Sequence, residues 1–299
     1  MKYDYLQTLK KEKDAVILAH YYVDEEIQKL SDYVGDSFFL AQLATKLENP
    51  IIVMAGVNFM GESIKILNPD KKVYLVDPKA DCPMARMADI KAIENIRKEY
   101  DDIAIVSYIN STAEIKAHCD VCVTSSNAVN IVKKLKEKNI FFLPDKNLGA
   151  YIAEFVPEKN IILNDGYCPV HNKISPQQIW EYRKKYKDIY VLAHPECQKS
   201  VLDLADYIGS TKGIIEKVNE LDSKDFLIVT EEGIKSELKK RYPDKKFHFL
   251  EDFTCKDMKM LTVEKLIDCI EKDNNEVFVD EKIAKLAIKP LNMMMKLGE

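Results

Sequence analysis

The chain has 299 residues, of which 46% are hydrophobic and 31% charged, with a formal net charge of −5. Nothing in that balance resembles the basic stripe of a nucleic-acid binder, and no apolar run reaches the length of a membrane span, so neither is an expected partner. The first residues, MKYDYLQTLKKEKD, lack the apolar core of a signal peptide, which points to the cytoplasm; there, seven cysteines suggest metal or redox chemistry, not a disulfide framework.

The first pass of apolar segments reads VILAHYY (16–22), SDYVGDS (31–37), IIVMAGVNFMGES (51–63) and KKVYLVDPKADC (71–82). After a helical stretch over 89–100 the order returns as IAIVSYINST (103–112), CDVCVTSSNAV (119–129), IFFLPDKNLGAYIAE (140–154) and NIILNDGYC (160–168). A second helical stretch, 177–186, precedes YVLAHPEC (190–197), ADYIGSTKGI (205–214), DFLIVTEEGIKSELKK (225–240) and KFHFLEDFTC (246–255), and 262–272 is helical again. The runs are continuous, not alternating, and helices intervene, which predicts twelve short strands in parallel sheets covered on both faces.

A threefold recurrence of this kind predicts an α/β fold of three pseudo-repeated αβα sandwich units around a pseudo-threefold axis. The units are expected at 1–88, 89–174 and 175–261, with a helical tail over 262–299 packed on the body. Each unit is small for an independent core, and no low-complexity linker separates them, so the units are expected to pack tightly.

Cys82, Cys168 and Cys255 close the three passes, 86 and 87 residues apart. Proline follows Cys82 and Cys168, where a helix accepts it at its first position; this sets the sulfur near a helix N-terminus and favours thiolate. Three converging thiolates suit zinc, or a [4Fe–4S] cluster with one iron left open as a Lewis acid, and packing of buried cysteines is a third reading. Cys119 and Cys122 sit in an apolar strand without a partner pair and read as core. Cys197 lies near the expected site without a repeat equivalent, and Cys269 lies on the tail helix.

His20 and Tyr22 follow the first strand, Tyr108 and Asn110 its counterpart in the second unit, and His194 and Glu196 its counterpart in the third. These residue types at strand ends suit general acid–base work, with Glu196 as acid or base and Tyr22 as proton donor. His171, three residues after Cys168, falls beside the metal site, while His118 and His248 read as structural. Ser37, Ser125 and Thr211 lie in the turns GDS, TSS and GST that open helices, and serve either as helix caps or as anion donors.

Nine motifs in order, AHYY, VGDS, NPDKKV with DCPMA, YINST, TSSNAV, PDKNLG, GYCPVH, LAHPEC and YIGST, together resemble the quinolinate synthase family, the iron–sulfur enzymes of de novo NAD biosynthesis. The resemblance covers nearly the whole chain. It implies a transferase that condenses iminoaspartate with dihydroxyacetone phosphate to quinolinate, releasing phosphate and two waters, and a functional link to an enzyme that supplies iminoaspartate. It further implies a [4Fe–4S] cluster on Cys82, Cys168 and Cys255 whose fourth iron meets the substrate, and substrate-site roles for His20, Tyr22, Tyr108, Asn110, His194 and Glu196. Many longer members carry closely spaced cysteines at the last ligand, whereas FTCKDMK offers Cys255 alone. Apart from the resemblance, the residues leave open a zinc enzyme and a non-catalytic iron–sulfur sensor.

Overall fold

The computed structural model describes residues 2–298, so the outermost residues of the first and last expected ranges, Met1 and Glu299, lie outside the described residues. The first sheet holds β1 (Ala15–His20), β2 (Tyr33–Gly35), β3 (Ile51–Ala55) and β4 (Lys72–Leu75). The second holds β5 (Ile103–Tyr108), β6 (Val121–Val123), β7 (Asn139–Leu143) and β8 (Asn160–Leu163). The third holds β9 (Tyr190–Ala193), β10 (Tyr207–Ile208), β11 (Asp225–Val229) and β12 (Lys246–Phe249). Every pairing within the sheets is parallel, and each sheet runs second, first, third, fourth in the order of its own strands.

The apolar runs explain this layering. β1 is buried at every residue, and Ile17 and Leu18 are fully enclosed between helices on the two faces, each such side chain contributing about 1.5–3 kcal/mol. Helices form where the sequence supplies both a cap and an amphipathic stripe. Asp89 caps Ile90–Glu99, Ser175 forms a capping box with Gln178 ahead of Pro176–Lys185, and Thr262 caps Val263–Lys272.

The three central pairs share one register. Ala19 lies opposite Ala55, Ser107 opposite Leu143, and Ala193 opposite Val229. His20, Tyr108 and His194 are therefore equivalent, as are Val57, Asp145 and Glu231 two residues beyond β3, β7 and β11. The C-terminal segment closes the body: residues 275–277 add to the open edge of β4, and the helix Glu281–Leu297 packs on the helices Ala113–Ala117 and Asn58–Leu67. One hydrophobic core runs through the first two sheets and this tail, a smaller cluster around Ile105 and Phe141 covers the other face of the second sheet, and the third sheet has a separate core on each face.

Candidate active site and metal centre

Strands that end at one place bring their succeeding loops to that place, and the C-terminal ends of all three sheets surround one cavity. The twelve candidate site residues read from the sequence all line it: the three cysteines, the six residues that end or follow β1, β5 and β9, and the three hydroxyls.

Each cysteine opens one tight turn. Cys82 precedes the 3-10 turn Pro83–Arg86, Cys255 precedes Lys256–Lys259, and Cys168 accepts a main-chain bond from Asn172 of 2.9 Å. Burial drives the thiols up, Cys82 and Cys168 well above their ordinary range and Cys255 to about 11, although backbone N–H groups of Ala85, His171 and Met258 face the sulfurs and oppose this. The expected helix with proline at its first position is found as a 3-10 turn after Cys82 but not after Cys168, where Pro169 lies in a plain turn ahead of His171, and burial outweighs the backbone N–H groups at each sulfur. A bound cation is what would ionise such sulfurs. No fourth cysteine lines the cavity among the described residues, so the donor set fits a group that takes three thiolates and keeps one position open. Cys168, His171 and Glu196 also bring ligand atoms within 4.8 Å of one another.

At the strand ends, the Nδ1 of His20 accepts from the Tyr22 N–H at 3.2 Å, and that of His194 from the Glu196 N–H at 3.4 Å. This local bond fixes each ring in the same way in two units. Burial holds His20 down to about 4 and His194 to about 3, so both are neutral near pH 7. Burial raises Tyr22 and Tyr108 well above the usual phenol range. Glu196 is opposed by its own burial, yet the His194 and His171 rings and a hydrogen bond from Tyr108 hold it below the usual carboxylate range.

These groups are joined. The Tyr22 hydroxyl lies 2.6 Å from Thr211 Oγ1 and 2.9 Å from Thr230 Oγ1; Thr230 Oγ1 lies 3.0 Å from His171 Nε2, and His171 Nδ1 lies 2.7 Å from Glu196. A continuous hydrogen-bonded path thus connects Tyr22 to Glu196 through Thr230 and His171. His171 also lies 3.2 Å from the Cys168 sulfur, which places it beside the cysteines.

Ser37 and Thr211 are the first residues of the helices Ser37–Ala44 and Thr211–Glu220, but the caps are their predecessors. Asp36 accepts from the Phe39 N–H and Ser210 from the Gly213 N–H. Ser125 lies 3.2 Å from His194 Nε2, ahead of the helix Ala128–Lys134 that begins after Asn127. No lysine or arginine lines the cavity among the described residues, so its favourable terms for anions are helix N-termini, hydroxyls and rings.

The sequence reading missed Thr230, Asp145 and Glu231. Both carboxylates are fully buried, raised by that burial to about 8 and about 7, and each accepts the N–H of its unit's cysteine: Asp145 from Cys168 at 3.0 Å and Glu231 from Cys255 at 3.2 Å. Their acidic character at equivalent positions in the second and third repeats was the available signal. Val57 in the first repeat broke it. Cys119, Cys122, Cys197 and Cys269 are buried outside the cavity lining, and His248 pairs with Asp225 at 3.1 Å.

The fold and this cavity define a three-unit α/β protein in which three cysteines, one from each unit, line one cavity with imidazole, phenol, hydroxyl and carboxylate side chains. A sequence model of the family described as "Quinolinate synthetase A protein" matches residues 4–296. A quinolinate synthase of Fusobacterium nucleatum is 56% identical over 295 residues, covering 99% of each chain. Similar relatives of the same name come from Clostridium novyi, 50% identical with 98% of each chain covered, and Clostridioides difficile, 48% identical with 98% of this chain and 97% of the relative covered. The chain belongs to the quinolinate synthase family.

Proposed function

We propose that the cavity condenses iminoaspartate with dihydroxyacetone phosphate to quinolinate, releasing phosphate and two waters, as a cytoplasmic transferase step of NAD biosynthesis fed by an iminoaspartate-producing enzyme. The observation that carries this reading is the meeting of three equivalent cysteines with a Tyr22–Glu196 pair in one cavity. Residues 1–88, 89–174 and 175–261 act as the three units that supply one cysteine each, with 262–299 as the tail. Cys82, Cys168 and Cys255 would hold a [4Fe–4S] cluster, which when bound supplies a Lewis-acidic iron with an open coordination position.

The chain's own residues do the rest. Ring formation needs protons removed at carbon and delivered to departing oxygens. Tyr22 and Glu196 have been driven apart in acidity, so at neutral pH Glu196 is an ionised base and Tyr22 a phenol that keeps a proton to give. His171 bonds Glu196 through one ring nitrogen and Thr230 through the other, the arrangement by which an imidazole passes a proton onward to replenish Tyr22. His20, Tyr108, Asn110 and His194 orient the substrates, and Ser37, Ser125 and Thr211 bind their carboxylate and phosphate groups. The hydroxyls, neutral rings and helix N-termini are the groups that receive those anions, while the carboxyl groups of Asp36, Glu196 and Glu231 line the same cavity.

The test is anaerobic incubation of reconstituted protein with both substrates and detection of quinolinate. Absence of product from iron-loaded protein would falsify the assignment. A zinc enzyme is the second reading, favoured by the mixed Cys168–His171–Glu196 set, and metal analysis with the visible spectrum separates the two.

A further inference from the structure

The turns that carry the cysteines do more than present a sulfur. Lys259 ends the turn that Cys255 begins, its N–H reaching the Cys255 carbonyl at 3.1 Å. Both ends of the turn meet the same buried carboxylate: Glu231 Oε1 accepts from the Cys255 N–H at 3.2 Å and lies 3.6 Å from the Lys259 ammonium. That ammonium then leaves its own unit. It donates to the Tyr22 carbonyl at 3.2 Å and pairs with Asp24 at 3.0 Å, both in the segment after β1. The approach is built for contact, since a Cβ on Gly233 would stand 2.6 Å from the Tyr22 Cα, and Gln28 bridges the carbonyls of Tyr21 and Gly233.

The next seam repeats the arrangement with different residues. Asp145 accepts from the Cys168 N–H, and four residues after Cys168 stands Asn172. The Asn147 amide donates to the Asn172 side chain at 3.1 Å and to the Glu196 carbonyl at 3.0 Å. Glu196 and Tyr22 are equivalent positions on the third and first units, so both tethers run from one unit's cysteine turn to the carbonyl of the proton-handling residue of the next. The remaining seam differs. Val57 replaces the carboxylate, the Cys82 N–H bonds its neighbour Asp81, and Arg86, four residues after Cys82, turns back to Asp81 at 2.8 Å. The residue that would be tethered there is Asn110, which handles no proton.

We propose that Lys259 and Asn147 are positioning residues of one repeated device, each tying the backbone of Tyr22 or Glu196 to the cysteine turn of the preceding unit. The inference rests on the proton-handling roles given to those two residues. A carbonyl held at one end fixes where the side chain points, and a group bound at the cysteines then stiffens the segment bearing Tyr22 or Glu196. Loading of the metal centre and readiness of the proton groups become linked through two side chains that touch neither substrate nor metal.

The experiment uses full-length protein, hydrogen–deuterium exchange and steady-state kinetics. Before reconstitution, Lys259→Met is expected to raise exchange over residues 16–30 about fivefold, and Asn147→Ala to do so over 190–200, while Lys259→Arg stays near wild type. After reconstitution with iron and sulfide, Lys259→Met should lower kcat about tenfold with KM within about twofold, and should cost under about twofold in a Tyr22→Phe background, because its effect passes through Tyr22. Unchanged exchange in both segments overturns the proposal, as does an equal loss of kcat in both backgrounds. If Lys259→Met does not fold, the Asn147→Ala exchange and its kinetics in a Glu196→Gln background decide the matter at the other seam. Wild-type protein that makes no quinolinate would remove the proposed reaction while leaving the exchange comparison intact.

Discussion

At the cysteine end of the cavity the three units contribute one residue type from one repeat position, whereas at the strand ends they contribute Tyr22, Asn110 and Glu196 from positions just as equivalent. Repetition of Cys82, Cys168 and Cys255 suits a group that needs three like donors arranged around it. A reaction with a direction cannot use three like donors, because one group must give a proton where another takes it. Under the proposed reaction, the fold keeps its internal symmetry where a three-cysteine donor set would require it and loses it where Tyr22 and Glu196 would act in opposite protonation states.

The largest expected effect breaks the symmetric end. Replacing Cys82, Cys168 or Cys255 by Ala should remove most iron and sulfide from anaerobically reconstituted protein, measured by metal and sulfide analysis. Cys119→Ala, Cys122→Ala and Cys269→Ala should retain both. Full iron in all three variants of the first set would mean that these cysteines only pack. The unsymmetric end comes next: Tyr22→Phe and Glu196→Gln should keep the iron and fold but lose about 100-fold or more in kcat, since each removes a proton-transfer group at nearly constant volume. Near-normal turnover in both would leave the difference between the two ends without a chemical reason.

How legible this was depends on whether a feature repeats. The twelve strands were readable because each is an apolar run recurring in order, and the cysteines because they recur beside the same kind of turn. Strand order within the sheets was not readable, since lateral pairing leaves no mark in a run that is apolar throughout. Glu231 and Asp145 escaped because Val57 interrupts their pattern and because a carboxylate after a strand looks like an ordinary solvated turn. Thr230 escaped because its role depends on His171 and Tyr22, which lie 59 and 208 residues away in sequence.

Thr230 gives the next prediction. Thr230→Val preserves shape but removes the link between Tyr22 and His171, and is expected to lower kcat by about tenfold, the worth of one hydrogen bond of about 1.4 kcal/mol. The loss should be absent from a Tyr22→Phe background, where the path is already cut. A full loss in both backgrounds would show that Thr230 serves packing alone.

The effect that leaves turnover chemistry untouched lies among the hydroxyls, which share repeat positions but differ in their partners. Thr211 bonds Tyr22 and Ser125 bonds His194, so removing either hydroxyl disturbs proton handling as well as binding. Ser37 isolates the binding question. Its helix is capped by Asp36, whose carboxylate accepts from the Phe39 N–H at 2.8 Å, so Ser37→Ala should leave the thermal midpoint unchanged. Ser210→Ala, which removes a true cap, should lower stability by about 1 kcal/mol. If Ser37 donates to a carboxylate or phosphate at the helix N-terminus, its loss should weaken quinolinate binding by about 1–3 kcal/mol with iron content intact. Titration calorimetry on Ser37→Ala and Ser210→Ala separates the roles: weaker binding at unchanged stability in the first, and lower stability at unchanged binding in the second. An unaltered dissociation constant for Ser37→Ala would leave the cavity's anion site to the backbone N–H groups alone.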